Sequence, residues 1–339
     1  MTDIFHLIES GLEACLGRRE LLRRALAVGA LAMPAYATAQ SDYPSKPIRI
    51  VVPVAPGFAT DYLARLIAEN LRVKMNATFV VENRASGAAG NVGSEYAARA
   101  QPDGYTLLFA SPGPLSINKF LYPKLGFDPA DFVPISLVAS AQNVLVVRAN
   151  SPFKTLGEII EHAKARPGAL SYASGGAGTT QHLAVEMLKS QAGLDILHIP
   201  YKGSAAAMSG FIQGQADFFV AELGNSMPFI RDGRVRAIAI GSVKRVSSLP
   251  DVPTMAETLP SFTTSAWYGL VAPPKTPPAI AVKLSAAIAE VMKQSDVEAK
   301  LQGMSILPIG STPAEMAKFI QEESVRWGKL IRSAKIAVD

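Results

Sequence analysis

Apolar and polar positions alternate in short blocks along most of this chain. Runs rich in β-branched residues, bounded by Gly, Pro, Asn or Asp, predict strands over Ile48–Val54, Phe79–Glu82, Thr106–Ala110, Ile135–Val138, Val144–Arg148, Leu170–Ala173, Ile196–Pro200, Phe218–Val220 and Val235–Gly241. Between them the helical period predicts helices over Asp61–Lys74, Gly90–Ala100, Leu156–Arg166, Thr180–Ala192, Ser204–Gly214 and Pro228–Asp232. Such alternation is the signature of an α/β fold with mainly parallel sheets. Pro250–Pro260 interrupts it with three prolines. Trp267–Val271 then reads as a strand, Ala272-Pro273-Pro274 as a stiff loop, and Pro278–Gln294 and Pro313–Ser333 as two closing helices. Each of these helices carries proline in its first turn, where no helix hydrogen bond is lost. The chain shows no repeat of solenoid length.

One pattern occurs twice: an apolar strand runs into a loop of small residues that opens a helix. The first copy is Ile48–Val54, then Ala55-Pro56-Gly57-Phe58-Ala59-Thr60-Asp61, then the helix from Tyr62. The second is Leu170–Ala173, then Ser174-Gly175-Gly176-Ala177-Gly178-Thr179-Thr180, then the helix from Gln181. A helix start offers unpaired N–H groups and the positive end of the helix dipole, a ready site for an anion. Glycine and alanine let a ligand approach the backbone, and threonine adds hydroxyl donors. Neither loop matches a stringent motif, and either alone reads first as an ordinary strand-to-helix turn. Two of them, far apart in sequence, could clamp one small anion between two lobes.

The N-terminus reads as an export signal occupying residues 1–39. Arg18-Arg19 and Arg23-Arg24 form a basic region, Ala25–Ala37 an apolar one, and Ala37-Thr38-Ala39 a small-x-small cleavage signal, which puts the mature start at Gln40. The apolar run is too short to span a bilayer, which needs about 20 residues. Arg18-Arg19-Glu20-Leu21-Leu22-Arg23 resembles a twin-arginine signal, with Gly17 where serine or threonine is usual. The only cysteine, Cys15, lies upstream of the apolar run, so the mature chain is expected to have no disulfide, thiolate nucleophile or cysteine metal site. The formal charge is +5, with lysine and arginine scattered rather than in blocks, which argues against nucleic acid as a partner.

Enzyme chemistry finds little support. The surroundings of Ser111 and Ser174 lack the first glycine of a Gly-x-Ser-x-Gly elbow, which leaves a serine esterase as a remote alternative. His162, His182 and His198 are not spaced with each other or with carboxylates as metal ligands would be. Gly87-Ala88-Ala89-Gly90-Asn91-Val92-Gly93 lacks dinucleotide-binding spacing and reads as a turn opening a helix. No cofactor is implied.

Six stretches, in order and spacing, carry a family resemblance: Tyr43-Pro44-Ser45-Lys46-Pro47-Ile48, Val81-Glu82-Asn83-Arg84, Gln101-Pro102-Asp103-Gly104-Tyr105-Thr106, His198-Ile199-Pro200-Tyr201-Lys202-Gly203, Leu249-Pro250-Asp251-Val252-Pro253-Thr254 and Arg326-Trp327. On these the chain resembles the Bug or TctC-like family, periplasmic solute receptors of tripartite tricarboxylate transporters. The resemblance implies a type II periplasmic-binding-protein fold, with two α/β lobes joined by two crossing strands and a small carboxylate held in the cleft. On that pattern residues 41–143 and 264–339 form lobe 1 and residues 144–263 lobe 2, with crossings at Val144–Arg148 and Thr263–Tyr268. It implies a monomer that hands its ligand to membrane permease subunits. A ligand-presenting sensor for a signalling kinase would share the same fold and site. By match to the family's loops, Ala59, Thr60, Asp61, Gly178, Thr179 and Thr180 are the foremost ligand-binding candidates, joined by Ser111, Pro112, Ser174 and His182. The chain departs from the family at Val54, Phe58 and Ala221-Glu222, where an aromatic, a glycine and Asp-Asn are usual. Phe58 offers an apolar ring to a ligand, and Glu222 penalises a second carboxylate unless protonated. Together they favour a monocarboxylate with an apolar or aromatic body, or a zwitterion, over citrate.

Overall fold

The computed structural model describes residues 43–85 and 90–336. The expected signal over 1–39, its cleavage site, Cys15 and the loop at 87–89 lie outside the described residues. The strands are β1 (Ile48–Val52), β2 (Phe79–Asn83), β3 (Thr106–Ala110), β4 (Val133–Arg148), β5 (Ser171–Ser174), β6 (Leu197–Pro200), β7 (Phe218–Glu222), β8 (Val235–Ile240), β9 (Ser265–Ala272) and β10 (Ile306–Pro308). The helices are α1 (Ala59–Met75), α2 (Asn91–Ala98), α3 (Asn118–Leu121), α4 (Leu156–Ala165), α5 (Thr180–Ala192), α6 (Ser204–Ile212), α7 (Leu223–Arg231), α8 (Met255–Thr258), α9 (Pro278–Met292), α10 (Ser295–Gly303) and α11 (Pro313–Ser333).

β4 organises the molecule. Val133–Gln142 pairs antiparallel with β9, while Asn143–Val147 pairs with β7 and Val144–Arg148 with β8. A single 16-residue strand therefore belongs to two sheets and changes partners at Gln142–Asn143. The sequence pattern suggests two strands here. Ala139-Ser140-Ala141-Gln142-Asn143 is too small and polar to extend an apolar run, but the backbone continues through it. The hydrogen-bonded path runs β2-β1-β3-β9-β4-β7-β5-β6, with β8 and β10 also on β4. In the first sheet β1 pairs parallel with β2 and β3, and in the second β5 pairs parallel with β6 and β7. The C-terminal ends of both parallel sets face the same space, which is where ligands bind in open α/β sheets.

Each sheet is buried on both faces. Val51, Leu108, Trp267, Val271 and Met316 form a core on the first. On the second, Leu145 and Val147 face Tyr172, Phe218 and the buried sides of α4 and α5, while Val144 and Val146 face Phe211, Phe219 and Ala221. This alternation along β4 is the period of two that a strand imposes. α11 serves both bodies: Met316 packs in the first core, and Trp327, Leu330 and Ile331 in the second. The buried Glu323 carboxylate accepts the indole N–H groups of Trp267 at 3.0 Å and Trp327 at 2.9 Å and pairs with Arg326 at 2.9 Å. Arg326 donates in turn to the Thr263 carbonyl at 3.1 Å.

Two features lay outside the sequence reading. α7 starts at Leu223 rather than Pro228, which sits at its sixth residue. Proline removes one interior amide, the donor for the Gly224 carbonyl, yet the flanking turns hold the helix. α10 and β10 were not anticipated, since α10 buries only Val297 and Leu301 and β10 has three residues.

At the crossing, three segments are tied together. The Gly241 amide donates to the Asn143 carbonyl at 2.7 Å, the Thr264 amide to the Gly241 carbonyl at 2.8 Å, and the Asn143 side-chain amide to the Thr264 hydroxyl at 2.8 Å. A β-carbon on Gly241 would collide with the Thr264 carbonyl, so only glycine fits there. Asn143 is fully buried and, among the described residues, its Oδ1 has no partner and the Thr264 bond is the only one its side chain makes. Thr264→Val keeps the shape and removes that bond. It should lower unfolding free energy by about 1–3 kcal/mol, the cost of an unpaired buried amide. Urea denaturation reads this as a lower midpoint, and an unchanged midpoint would show that the side-chain bond does not hold the crossing.

Candidate ligand-binding site

A cavity of about 930 Å³ opens between the two sets of strand ends. Its first wall comes from Phe58–Thr60, Ser111, Pro112, Ala266 and Tyr268, its second from Gly178–Gln181, Gly203–Ala205, Glu222, Gly224 and Asn225. Four helices, α1, α5, α6 and α7, begin at this cavity, and residues of each first turn line it. Their aligned peptide dipoles make it positive without a buried cation. The Phe58 ring, 46% exposed, lies over Gly203, where an added β-carbon would meet it at 3.6 Å. One loop thus reaches across the cavity mouth to the other.

Of the sequence-predicted residues, Phe58, Ala59, Thr60, Ser111, Pro112, Gly178, Thr179, Thr180 and Glu222 line the cavity. Asp61, Ser174 and His182 do not; they sit behind it and hold the loops. Asp61 accepts the Gly57 amide at 3.0 Å, Arg65 Nε at 3.0 Å and Asn83 Nδ2 at 2.8 Å. Burial alone would raise its pKa, and these donors reverse the shift, leaving it below the usual carboxylate value. They also fix Gly57 at φ +90°, a left-handed turn that glycine adopts without strain.

The second loop rests on stacked rings. His182 Nδ1 accepts the Gly178 amide at 3.1 Å, and its ring stacks on His198 at 4.2 Å between centroids. His198 stacks on Tyr172 at 4.8 Å and meets the Ser174 hydroxyl at 2.6 Å. The Ser174–His198 contact has the look of a nucleophile and its base, but Ser174 is fully buried outside the cavity. Thr179 caps α5, accepting the His182 amide and donating to the Gly176 carbonyl, so its hydroxyl is occupied by the fold. Gln181 accepts the Gly175 amide at 2.8 Å and donates to the Ser204 hydroxyl at 2.7 Å, joining this loop to the start of α6. Among the described residues, the hydroxyls of Thr60, Ser111 and Thr180 have no partner and are free side-chain donors beside the helix starts.

Glu222, the cap residue of α7, lines the same cavity. Burial raises its pKa, and a hydrogen bond from the Tyr268 hydroxyl partly offsets this. Tyr268 lies on β9 and Glu222 on β7, so this bond joins the two sheets across the cavity floor. Tyr268, Ser204, Gly224 and Asn225 escaped the sequence reading. The starts of α6 and α7 repeat the strand–loop–helix pattern without a run of glycine and threonine, and nothing local tells which strand residue of β9 faces a cavity.

Residues 63–336 match the model of the tripartite tricarboxylate transporter family receptor. The chain belongs to that family. It is 35% identical over 310 residues to the protein BugT of Bordetella pertussis, covering 91% of this chain and 94% of that one. Among solved structures, R. palustris Rpa4515 with adipate superposes with a TM-score of 0.79 at 33% identity, covering 88% of this chain and all of that one. MatC from Rhodopseudomonas palustris with bound malate gives 0.74 at 32% identity, covering 85% of this chain and all of that one. The chain therefore has the two-lobed type II periplasmic-binding-protein fold, and the family consists of solute receptors rather than enzymes.

Burial of the His182 imidazole, with the neighbouring His198 adding a smaller effect, pushes its pKa down to about 4. In the unfolded chain a histidine takes up its proton near pH 6.5. Between these values the unfolded state binds a proton that the folded state refuses, so stability falls as pH drops from about 6.5 to 4. His182→Gln keeps an acceptor for Gly178 and removes the titration. The parent should lose melting temperature steadily between pH 6.5 and 5, and the variant should lose less; parallel curves would show that His182 does not set this dependence.

Proposed function

We propose that the chain is a periplasmic receptor that captures a small organic carboxylate in the interlobe cavity and delivers it to membrane permease subunits of a tripartite tricarboxylate transporter. The observation that carries this reading is the convergence of four helix N-termini and three unpartnered hydroxyls on one cavity. A carboxylate entering it exchanges water for oriented N–H and O–H donors. The adipate and malate bound by the two relatives support the same chemistry. Lobe 1 is then residues 44–143 and 264 onward, and lobe 2 residues 144–263, with the lobes closing on the ligand about the Asn143–Gly241–Thr264 tie. Closure is favoured only by a ligand that binds the closed form better than the open one. The basic and apolar pattern over residues 1–39 supports export through a cleaved signal of Sec or twin-arginine type, and the receptor acts as a monomer.

Selectivity rests on Phe58 and Glu222. The ring offers apolar area at the mouth, worth roughly 25 cal/mol per Å² covered. Glu222 opposes a second carboxylate placed against it and accepts a hydroxyl or ammonium. A compact tricarboxylate therefore fits poorly.

Thr180→Val removes a free hydroxyl and should weaken adipate or benzoate binding by about 1–3 kcal/mol in calorimetry. Thr179→Ala, by contrast, should lower stability by about 1 kcal/mol through the lost helix cap. Equal affinity for both acids in the Thr180 variant and the parent would remove this hydroxyl from the site.

The parent should bind benzoate more tightly than citrate, and Phe58→Gly should narrow that ratio. A ratio unchanged by the substitution would show that Phe58 does not select, and a parent preference for citrate would overturn the selectivity reading.

A further inference from the structure

The cavity does not end at the cleft. Its lining continues along the second lobe between α6 and α7, over the β7 side chains that face them. Met208, Ile212, Phe219 and Phe229 make this branch largely apolar, with Ser209 among them, and Gln213 and Arg234, which follow the C-terminal ends of α6 and α7 and so lie away from the helix starts, line it too. From Ser204 to Ile212 the helix rises about 12 Å, so the branch is longer than a compact acid needs. Arg234 stacks on Phe229, with 5.2 Å from its guanidinium carbon to the ring centroid, and among the described residues it meets no carboxylate at ion-pair distance. An unpaired guanidinium at the end of an apolar passage is complementary to an anionic group on the end of an apolar chain.

We infer that this branch is a second subsite, taking the distal half of an elongated dicarboxylate whose near carboxylate sits at the helix starts and whose far carboxylate meets Arg234. The inference rests on the carboxylate-receptor reading and adds the length of the ligand and the nature of its far end. It also resolves the tension that Glu222 creates. A short diacid places its second charge near that carboxyl, whereas a long one carries the charge past it to Arg234. The apolar walls reward the intervening methylenes.

Calorimetry with three probes tests this: adipate, the longer diacid sebacate, and decanoate, which has the length of sebacate without its distal charge. The parent should prefer sebacate to both others. Arg234 is exposed, so Arg234→Ala should fold as the parent does, weaken sebacate about three- to tenfold and leave decanoate within about twofold. The sebacate advantage should also shrink at high salt. Unchanged sebacate affinity in Arg234→Ala, or parent affinity for adipate equal to or above that for sebacate, overturns the inference. Thr180→Val separates the two levels. If it weakens adipate while Arg234→Ala has no effect on sebacate, the cleft reading stands and the branch falls. If the parent binds none of the three probes, both fall.

Discussion

Everything in this molecule depends on one strand being shared. β4 hydrogen-bonds to β9 in one sheet and to β7 and β8 in the other, so the two sheets cannot separate without breaking a continuous backbone ladder. A strand twists but does not stretch, which leaves bending and twisting at the change of partners as the available motion. The crossing is made tight by Gly241, which has no side chain to hold the strands apart, and by the buried pair Asn143–Thr264. On the opposite side α11 straps both cores, with the Glu323 carboxylate gathering two indoles and a guanidinium. The cavity is therefore formed between two bodies whose separation is limited at its base and whose mouth is left to loops.

The chemistry of the site follows from how those loops are held. A carboxylate must be desolvated to bind, and the donors that replace its water must already be in place if affinity is not to be lost in ordering them. Here the ordering is done by Asp61 and His182, which do not line the cavity, and by Gln181, which does. Asp61 draws in the Gly57 amide, His182 the Gly178 amide and Gln181 the Gly175 amide. Asp61 sits in the first turn of α1, where its negative charge would oppose an anion, but Arg65 neutralises it. Burial opposes charging of the histidine stack under the second loop and holds both imidazoles below their ordinary pKa. The loops are held frames, and the hydroxyls of Thr60, Ser111 and Thr180, which have no partner among the described residues, line the cavity they enclose.

Family membership and the departures from it act on different parts of the cavity. The helix starts and the crossing are architecture that any receptor of this fold requires. Phe58, Glu222, Arg234 and the largely apolar wall between α6 and α7 sit around that architecture and differ in chemistry from it: an aromatic ring, a carboxyl with raised pKa, a cation that meets no carboxylate among the described residues, and the side chains of Met208, Ile212, Phe219 and Phe229.

The sequence by itself determined the order of strands and helices, because apolar periodicity reports burial within one element. It determined the α/β class, the two small-residue loops at helix starts, and the family, through short stretches whose order and spacing are hard to match by chance. It did not reveal that Ile135–Val138 and Val144–Arg148 are one strand, since Ala139–Asn143 carry no apolar signal and their continuity comes from pairing, Ala139–Gln142 with β9 and Asn143 with β7. Nor did it separate the residues that hold a loop from those that face a ligand. Asp61, Ser174 and His182 have the same chemistry as the residues that line the cavity, and only the direction of each side chain, set by Asn83, His198 and the Gly178 amide, turns them away from it. The tertiary structure alone placed Tyr268 beside Glu222, brought the start of α6 to the cavity and set Arg234 in its lining with no carboxylate partner among the described residues. Each of these is a contact between segments distant in the chain, and local pattern carries no information about which distant partner a residue will find.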